Sequence, residues 1–571
     1  MIAFNYPLRP DDARFLRKQP FEHRWRYPDA GRFLKRLLLE RSRYGETSSE
    51  GAFGLAAVVL NGDTNDTRLS ATLRSVALQS CPWIQCVVDA DERSREELLG
   101  RCRETGILPE SFTATAVDGL GAPASERTFV CFVFPGDILH PSLAHAVAVR
   151  AESDGADVVV WNDISRTGRY TFQFTRRSRL ERHTLRTLSP VGPSFAVRAS
   201  LLADYDGDWL GEARRGQFHL LQLWLAERNS VRWTLELDFL SVRARARASC
   251  APAYAADRSR YRNLHGLHWK DFDFRETGDE TQPYRLVPSR KPDTLGVVIP
   301  FRDQPEMTAK SALSALRQST SFPVSVILVD NRSAASSVAS IGQALDMEGF
   351  DGRYTFVAYD APFNHSAQCN IGAGAANTDV VVMLNNDAWF HDGQALEEMG
   401  AWALVPDVAT VGVRIEDEDG RLISAGLRYR RHTDASYSSP MEESADAWLA
   451  RCAREASGNT FAAVAVESGK LERLGWLDAV WFPNGFNDVE FCLRARKQGY
   501  THMYLGHLAA VHLKGRSRGA SDEVRHTLRL REQYPCASGW ALAQLELETR
   551  RQPARFPGRR IHSLLERVPS R

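Results

Sequence analysis

The chain has 571 residues, and its 72 lysines and arginines nearly balance its 71 aspartates and glutamates, so the formal net charge is +1. This length exceeds one ordinary hydrophobic core, which predicts two or more domains. The near-neutral balance excludes the strongly basic surface that is typical of nucleic-acid-binding proteins. No apolar run reaches the roughly 20 residues of a membrane span, and the polar start differs from a signal peptide. We therefore expect a cytoplasmic protein.

The cysteine pattern agrees with a reducing compartment. Nine cysteines occur without any Cys-x-x-Cys pair, and several lie inside apolar patterns. We expect buried thiols rather than a disulfide framework.

Residues 1–52 form a basic and aromatic N-terminal extension with one short amphipathic piece, Arg32–Glu40. Two alternatives stay open for this helical piece: it packs on the first domain, or it touches an anionic membrane. The second alternative would make the protein peripheral at the inner face of the plasma membrane. The following stretch, Gly45–Gly51, is typical of a linker.

Residues 53–250 have the pattern of an α/β domain, in which short apolar strands alternate with segments of helical spacing. The predicted strands are Leu55–Leu60, Cys86–Asp89, Phe129–Phe134 and Asp157–Trp161. Helical spacing is found over 69–78 and 141–152. Residues 251–292 are polar and contain several prolines, which predicts an interdomain linker that is partly folded around Trp269 and Phe272.

The second half holds the three most continuous apolar runs, and each of them ends in polar residues. They are Leu295–Asp303, Val324–Asp330, and Val380–Leu384 followed by Asn385-Asn386-Asp387. Such runs, alternating with helical patterns, predict a parallel sheet that is covered on both faces. Ligands of such sheets bind at the carboxyl ends of the strands, where these polar residues lie.

The last part, residues 521–571, reads as a helical segment followed by a basic, proline-containing tail. The basic side chains of this tail either meet anionic lipid head groups or are simply solvated.

Several motifs of the second half occur in the order found in family-2 glycosyltransferases. They are Pro300-Phe-Arg-Asp303, Val329-Asp-Asn-Arg-Ser333, Phe363-Asn-His-Ser366 with Asn370-Ile-Gly372, Leu384-Asn-Asn-Asp387 and Phe486-Asn-Asp-Val-Glu-Phe-Cys-Leu-Arg494. The chain most resembles the bacterial rhamnosyltransferases of surface polysaccharide biosynthesis. The resemblance implies a GT-A fold, Rossmann-like with a mostly parallel sheet, for a catalytic domain at 293–520.

The first half repeats the same order of strands and helices, so we expect two tandem GT-A domains of which the first is a degenerate copy. The family carries two or three carboxylates after the strand that corresponds to Phe129–Phe134, and this half keeps only Asp137 of them. Gly216–Leu220 stands where the resemblance implies a catalytic carboxylate, and Arg243–Arg247 stands where it implies a histidine. We expect a non-catalytic domain that serves packing or acceptor binding; a second active site is the alternative.

The resemblance implies how the second half would move a sugar. Asp387 and His512 would hold Mn²⁺ or Mg²⁺, which neutralises the departing diphosphate. Asp488 would be the general base for the acceptor hydroxyl. Each assignment has a structural alternative: a hydrogen-bonded turn for Asp387, a strand-end histidine for His512 and a helix cap for Asp488.

Further residues are expected to contact the donor nucleotide or the acceptor. Asp330 would accept the N3–H of uracil or thymine, and Asn385 would help through its amide oxygen or bind the ribose. The donor-binding set is Pro300, Arg302, Asp303, Asp330, Asn331, Asn370, Asn385, Asn386, Arg516 and Arg518. The acceptor-binding set is Trp476, Trp481, Asn487 and Glu490. The alternatives are a surface ion pair for Arg302 and Asp303, and core packing for the tryptophans.

The predicted function is that of an inverting, metal-dependent hexosyltransferase acting by single displacement. Its donor would be dTDP-rhamnose or a UDP-sugar, and its acceptor a growing, free or lipid-linked, bacterial surface glycan such as an O-antigen, capsule or exopolysaccharide. One alternative is a nucleotidyltransferase, although that class would want a glycine-rich loop where Pro300-Phe-Arg-Asp303 stands. The other alternative is a non-catalytic scaffold that binds nucleotide sugars or glycans.

Overall fold

A computed structural model describes most of the chain between residues 53 and 530. The described residues are 53–60, 67–79, 84–116, 127–166, 172–175, 181–189, 191–244, 254–255, 257–280, 282–428, 437–438, 450–513 and 529–530. They divide into two units, with the boundary between Asp257 and Arg258. The predictions made for residues 1–52 and 531–571 lie outside the described residues.

The first unit is an α/β domain. Its strands are β1 (Gly54–Val59), β2 (Ile84–Val88), β3 (Ala114–Ala116), β4 (Thr128–Val133), β5 (Ile138–Leu139), β6 (Val158–Arg166), β7 (Phe172–Thr175), β8 (Phe195–Arg198) and β9 (Trp233–Arg243). Its helices are α1 (Thr67–Ala77), α2 (Glu92–Glu104), α3 (Leu143–Ser153), α4 (Arg182–Leu185), α5 (Ala199–Ala203), α6 (Trp209–Arg214) and α7 (His219–Ala226).

The second unit is also α/β. It begins with α8 (Arg258–His268) and the hairpin of β10 (Phe272–Glu276) and β11 (Tyr284–Pro288). The further strands are β12 (Leu295–Phe301), β13 (Val324–Asp330), β14 (Tyr354–Ala358), β15 (Val380–Leu384), β16 (Ala388–Phe390), β17 (Val408–Glu416), β18 (Leu422–Ser424), β19 (Leu427–Arg428), β20 (Tyr437–Ser438), β21 (Ala453–Ala456), β22 (Ala463–Glu467) and β23 (Thr501–His512). The further helices are α9 (Pro305–Leu316), α10 (Ala335–Met347), α11 (His365–Ala376), α12 (Ala395–Ala403), α13 (Ser468–Leu474) and α14 (Asn487–Lys497).

The main sheets of the two units have the same strand order. It is β3-β2-β1-β4-β8-β6-β9-β5 in the first unit and β14-β13-β12-β15-β22-β17-β23-β16 in the second. The directions agree as well: the first four strands of each order are parallel, and the strand that follows them is antiparallel. The predicted fold class, two tandem α/β domains with helices around a parallel core, is confirmed, with antiparallel strands extending both sheets.

The parallel core of the second unit brings three strand ends to one edge. Every residue of β12 is buried, as an apolar run covered on both faces should be. Phe301 at the end of β12 is in register with Asp330 at the end of β13, and β15 runs parallel on the other side of β12. The polar residues that follow these strands therefore meet at the same edge.

The segment 251–292, expected as a linker, is largely folded within the second unit. It contributes α8 and the β10–β11 hairpin, with Trp269 and Tyr284 fully buried. The Phe272 ring packs 5.4 Å from the ring of Trp402. Aromatic side chains on a short hairpin thus bury enough apolar surface to order a segment whose polar composition predicts a linker.

The cysteines and the helices bear on two expectations from the composition. Cys86, Cys102, Cys131, Cys369, Cys452 and Cys492 are buried free thiols. Burial raises the pKa of Cys369 to about 12, which keeps it a neutral thiol. Among the described residues, none of the helices has the length and apolarity that crossing a membrane requires.

A pair of glycines in α11 tests how closely this helix packs on the sheet. A Cβ at Gly372 would fall within 2.7 Å of Val329 Cγ2 and closer still to Val298 Cγ1, whereas a Cβ at Gly374 would meet nothing within 4 Å. We expect Gly372→Ala to lower the free energy of unfolding by about 1–3 kcal/mol. Gly374→Ala, the matched control, should raise it by about 0.5–1 kcal/mol. Denaturant unfolding measures both, and equal effects would contradict the close packing.

Candidate active site

Asp387 and His512 belong to a polar cluster at the strand ends. Asp387 directly precedes β16, and His512 is the last residue of β23, which pairs with β16 through Ala388 and His512. His512 Nε2 lies 3.2 Å from Asp387 Oδ1, and both side chains are about one-fifth exposed. The structure thus brings together two residues that are 125 positions apart and that were predicted as metal ligands.

The chemistry of this pair fits a divalent cation. A carboxylate oxygen and an imidazole nitrogen suit Mn²⁺, whereas Mg²⁺ favours oxygen ligands alone. No group of three His, Cys, Asp or Glu side chains that could hold a metal occurs among the described residues. A cation at this pair would therefore take its remaining ligands from water and from the phosphates of a donor, which is usual for such ions.

A chain of side-chain contacts joins this pair to the start of α14. Asn385 Nδ2 lies 3.2 Å from His512 Nε2, and Asn385 Oδ1 lies 3.3 Å from His365 Nε2. His365 Nδ1 in turn lies 3.2 Å from Asn487 Nδ2. The predicted site residues Asn385, Asn487 and His512 thus belong to one network. His365, which was quoted only as part of a motif, stands at its centre.

Asp488 follows Asn487 in the first turn of α14. The helix begins at Asn487, after Phe486 in a left-handed conformation with φ of 59°. Asp488 Oδ1 accepts a hydrogen bond from Val489 N at 2.8 Å, and its own N–H donates to Asn487 Oδ1 at 2.9 Å. The side chain is half-buried. An acidic group in the first turn also complements the helix dipole, so the structural and the chemical interpretation are compatible.

The other end of the cluster is the wall formed after β12 and β13. Asp330 is half-buried, and its Oδ1 accepts from Ser333 N at 2.9 Å. Asp303 Oδ1 accepts from Ala334 N at 2.8 Å and from Ser337 Oγ at 3.3 Å, so this carboxylate ties the two loops together. Arg302 is exposed. Asp330 and Arg302 remain predicted donor contacts, whereas Asp303 shapes the loops.

Three predicted contact residues form hydrogen bonds within the chain, although the Oδ1 of Asn331 is buried without a hydrogen-bond partner. Asn331 is buried, and its Nδ2 donates to the carbonyls of Tyr359 and Ala361. Asn370 exchanges two hydrogen bonds with the backbone of Leu477.

Glu490 is buried and uses both carboxylate oxygens on Arg494, which anchors the carbonyl of Trp476. These bonds favour a supporting role for Asn370 and Glu490, and the contacts of all three residues with a ligand stay predictions. Trp476 itself is partly buried and packs against the core, and its place on the acceptor side stays a prediction.

The remaining predicted residues lie in varied surroundings. Pro300 is buried within β12, so it shapes the wall through its backbone. Asn386 Nδ2 donates to Thr308 Oγ1 at 3.4 Å. Trp481 is 42% exposed, with the guanidinium of Arg529 at 4.2 Å from its ring. Arg516 and Arg518 lie outside the described residues.

The first unit has a different arrangement at the corresponding places. Asp137 directly precedes β5, as Asp387 precedes β16, and Arg243 ends β9, as His512 ends β23. Arg243 Nη1 lies 2.8 Å from Asp137 Oδ2, and both side chains are at least 98% buried. Asp137 Oδ1 also accepts from Ala244 N at 2.7 Å. A guanidinium of the chain itself thus neutralises the carboxylate that follows β4 in this copy.

Two further positions of the first unit are also held by internal bonds. Asp89, which follows β2, forms a two-pronged ion pair with Arg214 at 2.7 and 2.8 Å. His219 begins α7, the helix that corresponds to α14, and its Nε2 contacts the carbonyl of Leu185. Burial lowers the pKa of His219 to about 4. This ring is neutral at ordinary pH and turned into the core.

Comparisons with known proteins come from sequence and from structure. Residues 296–452 match the sequence model of Glycosyl transferase family 2. An uncharacterized protein of Sinorhizobium fredii, y4gI, is 26% identical over 254 residues, which are 43% of this chain and 27% of that protein. The O-antigen biosynthesis protein RfbC of Myxococcus xanthus is 26% identical over 450 residues, 75% of this chain and 34% of that protein.

The chain therefore spans about a third or less of the length of these curated relatives. Among solved structures, the mannosyltransferase PcManGT of Pyrobaculum calidifontis, in complex with GDP-Man and Mn²⁺, has 15% identity and a TM-score of 0.32. The match covers 44% of this chain and 65% of that one, a similarity too weak to support an inference.

Proposed function

Residues 296–452 make this chain a member of glycosyl transferase family 2, and on that premise we propose that its second unit transfers a sugar from a nucleotide-diphosphate donor to a glycan. The observation that carries this proposal is the network of Asp387, His512, Asn385, His365 and Asn487 beside Asp488. It extends beyond the residues that match the family, to the two elements β23 and α14. Such a network assembles the groups that the reaction needs in one place.

The reaction is a single displacement with inversion. The acceptor oxygen forms its bond to the anomeric carbon while the bond from that carbon to the diphosphate oxygen breaks. The electron pair leaves with the diphosphate, and the proton of the acceptor hydroxyl goes to Asp488 as general base. Asp387 and His512 would hold a divalent cation, which would supply charge neutralisation for the leaving diphosphate.

The donor nucleotide would lie along the wall after β12 and β13. Asp330 accepts the N3–H of uracil or thymine, which adenine cannot offer. This favours a uridine- or thymidine-linked sugar as donor, and the resemblance to rhamnosyltransferases makes dTDP-rhamnose one candidate. The similarity to RfbC, an O-antigen biosynthesis protein, supports a bacterial surface glycan as acceptor. Trp481, with its exposed ring, is suited to stack on an acceptor sugar.

We propose in addition that the first unit holds no donor. Internal arginines occupy Asp137 and Asp89, and the histidine on the helix corresponding to α14 is buried. The cytoplasmic location rests on the cysteine pattern, and a peripheral contact with the membrane rests on the N- and C-terminal segments; both stay predictions.

A panel of nucleotide sugars tests the proposal, with Mn²⁺ or Mg²⁺ and with nucleoside diphosphate release as the readout. We expect turnover with one pyrimidine-linked donor and a marked loss in Asp387→Ala, because the variant lacks the carboxylate of the cation site. Mn²⁺ binding, measured by calorimetry, should weaken in the same variant. Asp419→Ala, an exposed aspartate of the second unit, is the control and should behave as the wild type.

Full turnover in Asp387→Ala would contradict the proposed cation site. No release and no nucleotide binding by the wild-type protein, even with a glycan acceptor, would favour the non-catalytic scaffold instead.

A further inference from the structure

His365 connects the cation site to the helix that carries the base. It is the first residue of α11, after the capping residue Asn364. Its Nε2 contacts Asn385 Oδ1 at 3.3 Å, and its Nδ1 contacts Asn487 Nδ2 at 3.2 Å. The two partners come from segments 20 and 122 positions away. One imidazole therefore spans two amides.

The amide of Asn487 has a fixed direction. Ser366 Oγ donates to the carbonyl of Phe482 at 2.6 Å, so its oxygen is left to accept from Asn487 Nδ2 at 3.0 Å. The N–H of Asp488 donates to Asn487 Oδ1 at 2.9 Å. Because an N–H can only donate, Nδ2 is the atom that faces His365, and His365 Nδ1 is the acceptor.

The direction of Asn385 follows from the same bonds. A neutral imidazole with an acceptor at Nδ1 carries its proton at Nε2. That proton is donated to Asn385 Oδ1, so the carbonyl of Asn385 faces away from the cation site. The opposite end of the amide, Nδ2, then points at His512 Nε2, 3.2 Å away.

We propose that His365 is a positioning residue, which turns Asn385 so that an N–H, rather than a carbonyl oxygen, faces the site at Asp387 and His512. Asn385 then acts as a hydrogen-bond donor to an anionic oxygen of the donor diphosphate and is no ligand of the cation. This inference rests on the proposed function of the second unit. Second-layer partners of this kind typically contribute 10–100-fold to affinity or activity.

Three substitutions of His365 test whether the residue orients Asn385 or only fills space in the packing. In His365→Gln the side-chain amide reaches the place of Nε2 and still donates to Asn385. In His365→Asn the amide reaches only the place of Nδ1, and His365→Phe offers neither. The readout is the affinity for UDP or dTDP with Mn²⁺, measured by calorimetry, together with kcat and KM for the donor. Thermal unfolding of each variant monitors the fold.

We expect His365→Gln to stay close to the wild type, and His365→Asn and His365→Phe to lose affinity by about 10-fold or more. In an Asn385→Ala background, His365→Phe should have little further effect, because His365 acts through Asn385. Equal losses in the Gln and Phe variants, or a His365→Phe loss that multiplies with that of Asn385→Ala, would overturn the inference.

The wild-type protein distinguishes a failure of the proposed function from a failure of the positioning role of His365. If the wild-type protein binds and turns over a donor while all three variants equal it, only the positioning role falls. If the wild-type protein neither binds nucleotide nor releases it from any donor, the proposed function falls first and this role falls with it.

Discussion

Replacing Asp488 by asparagine is expected to lower kcat by about 10²–10⁴-fold, the contribution that a positioned general base typically makes. The substitution is nearly isosteric. An asparagine Oδ1 still accepts from Val489 N, as Asp488 Oδ1 does at 2.8 Å, so α14 should keep its first turn. Loss of the charge near the helix N-terminus removes only about 0.3–1 kcal/mol of dipole stabilisation. The measured change therefore reports the proton acceptor rather than the fold.

The experiment follows kcat by nucleoside diphosphate release with saturating donor and acceptor. Calorimetric affinity for the nucleotide with Mn²⁺ should be unchanged, which separates proton transfer from donor binding. Glu490→Gln is the control on the same helix, because Glu490 is buried and paired with Arg494; its effect should fall on thermal stability. A kcat within a few-fold of the wild type in Asp488→Asn would remove Asp488 from the role of base.

Removing the carboxylate of Asp137 is expected to destabilise the first unit by about 3–5 kcal/mol, because it leaves the guanidinium of Arg243 buried without a counter-charge. Both side chains are at least 98% buried and 2.8 Å apart. Replacing the pair together, in Asp137→Leu with Arg243→Met, removes the unpaired charge and should cost less. A residual cost remains, because the N–H groups of Phe134 and Ala244 and the carbonyls of Phe132 and Pro193 lose their partners.

Denaturant unfolding, followed separately for each transition of this two-unit chain, measures these differences. Glu97→Ala breaks an exposed ion pair of the same unit, Arg93–Glu97, and should change stability by no more than about 1 kcal/mol. The double variant should retain turnover. Loss of turnover in a double variant that stays folded would contradict a silent first unit and return that unit to the list of active sites.

The fold of this chain is largely readable in its apolar runs. Val324–Asp330 and Val380–Leu384 are strands with the predicted bounds, because strands buried on both faces are continuous in hydrophobicity and end where polar residues begin. The hairpin of β10 and β11 was missed, since its order comes from aromatic contacts such as Phe272 on Trp402, which no local pattern contains.

The site was predicted less completely, because most of its contacts join residues that are far apart in the sequence. Asp387 and His512 carry lone pairs suited to a cation and could be named from residue type. The pairing of Glu490 with Arg494 had a local signal, the spacing of four on one helix face, which predicts an ion pair. His365 had only its place at a helix start, since its partners are brought to it by the fold.

The Arg243–Asp137 pair implies that the two units differ in how their stability depends on solutes. The guanidinium of Arg243 is part of the chain and cannot diffuse away, so its pairing with the carboxylate of Asp137 does not depend on the concentration of any solute. A diffusible cation and nucleotide at Asp387 and His512 would instead stabilise the second unit in proportion to the logarithm of their supply. A metal chelator would then lower the stability of the second unit only. The first unit, whose counter-charge is the side chain of Arg243, would unfold at the same denaturant concentration as before.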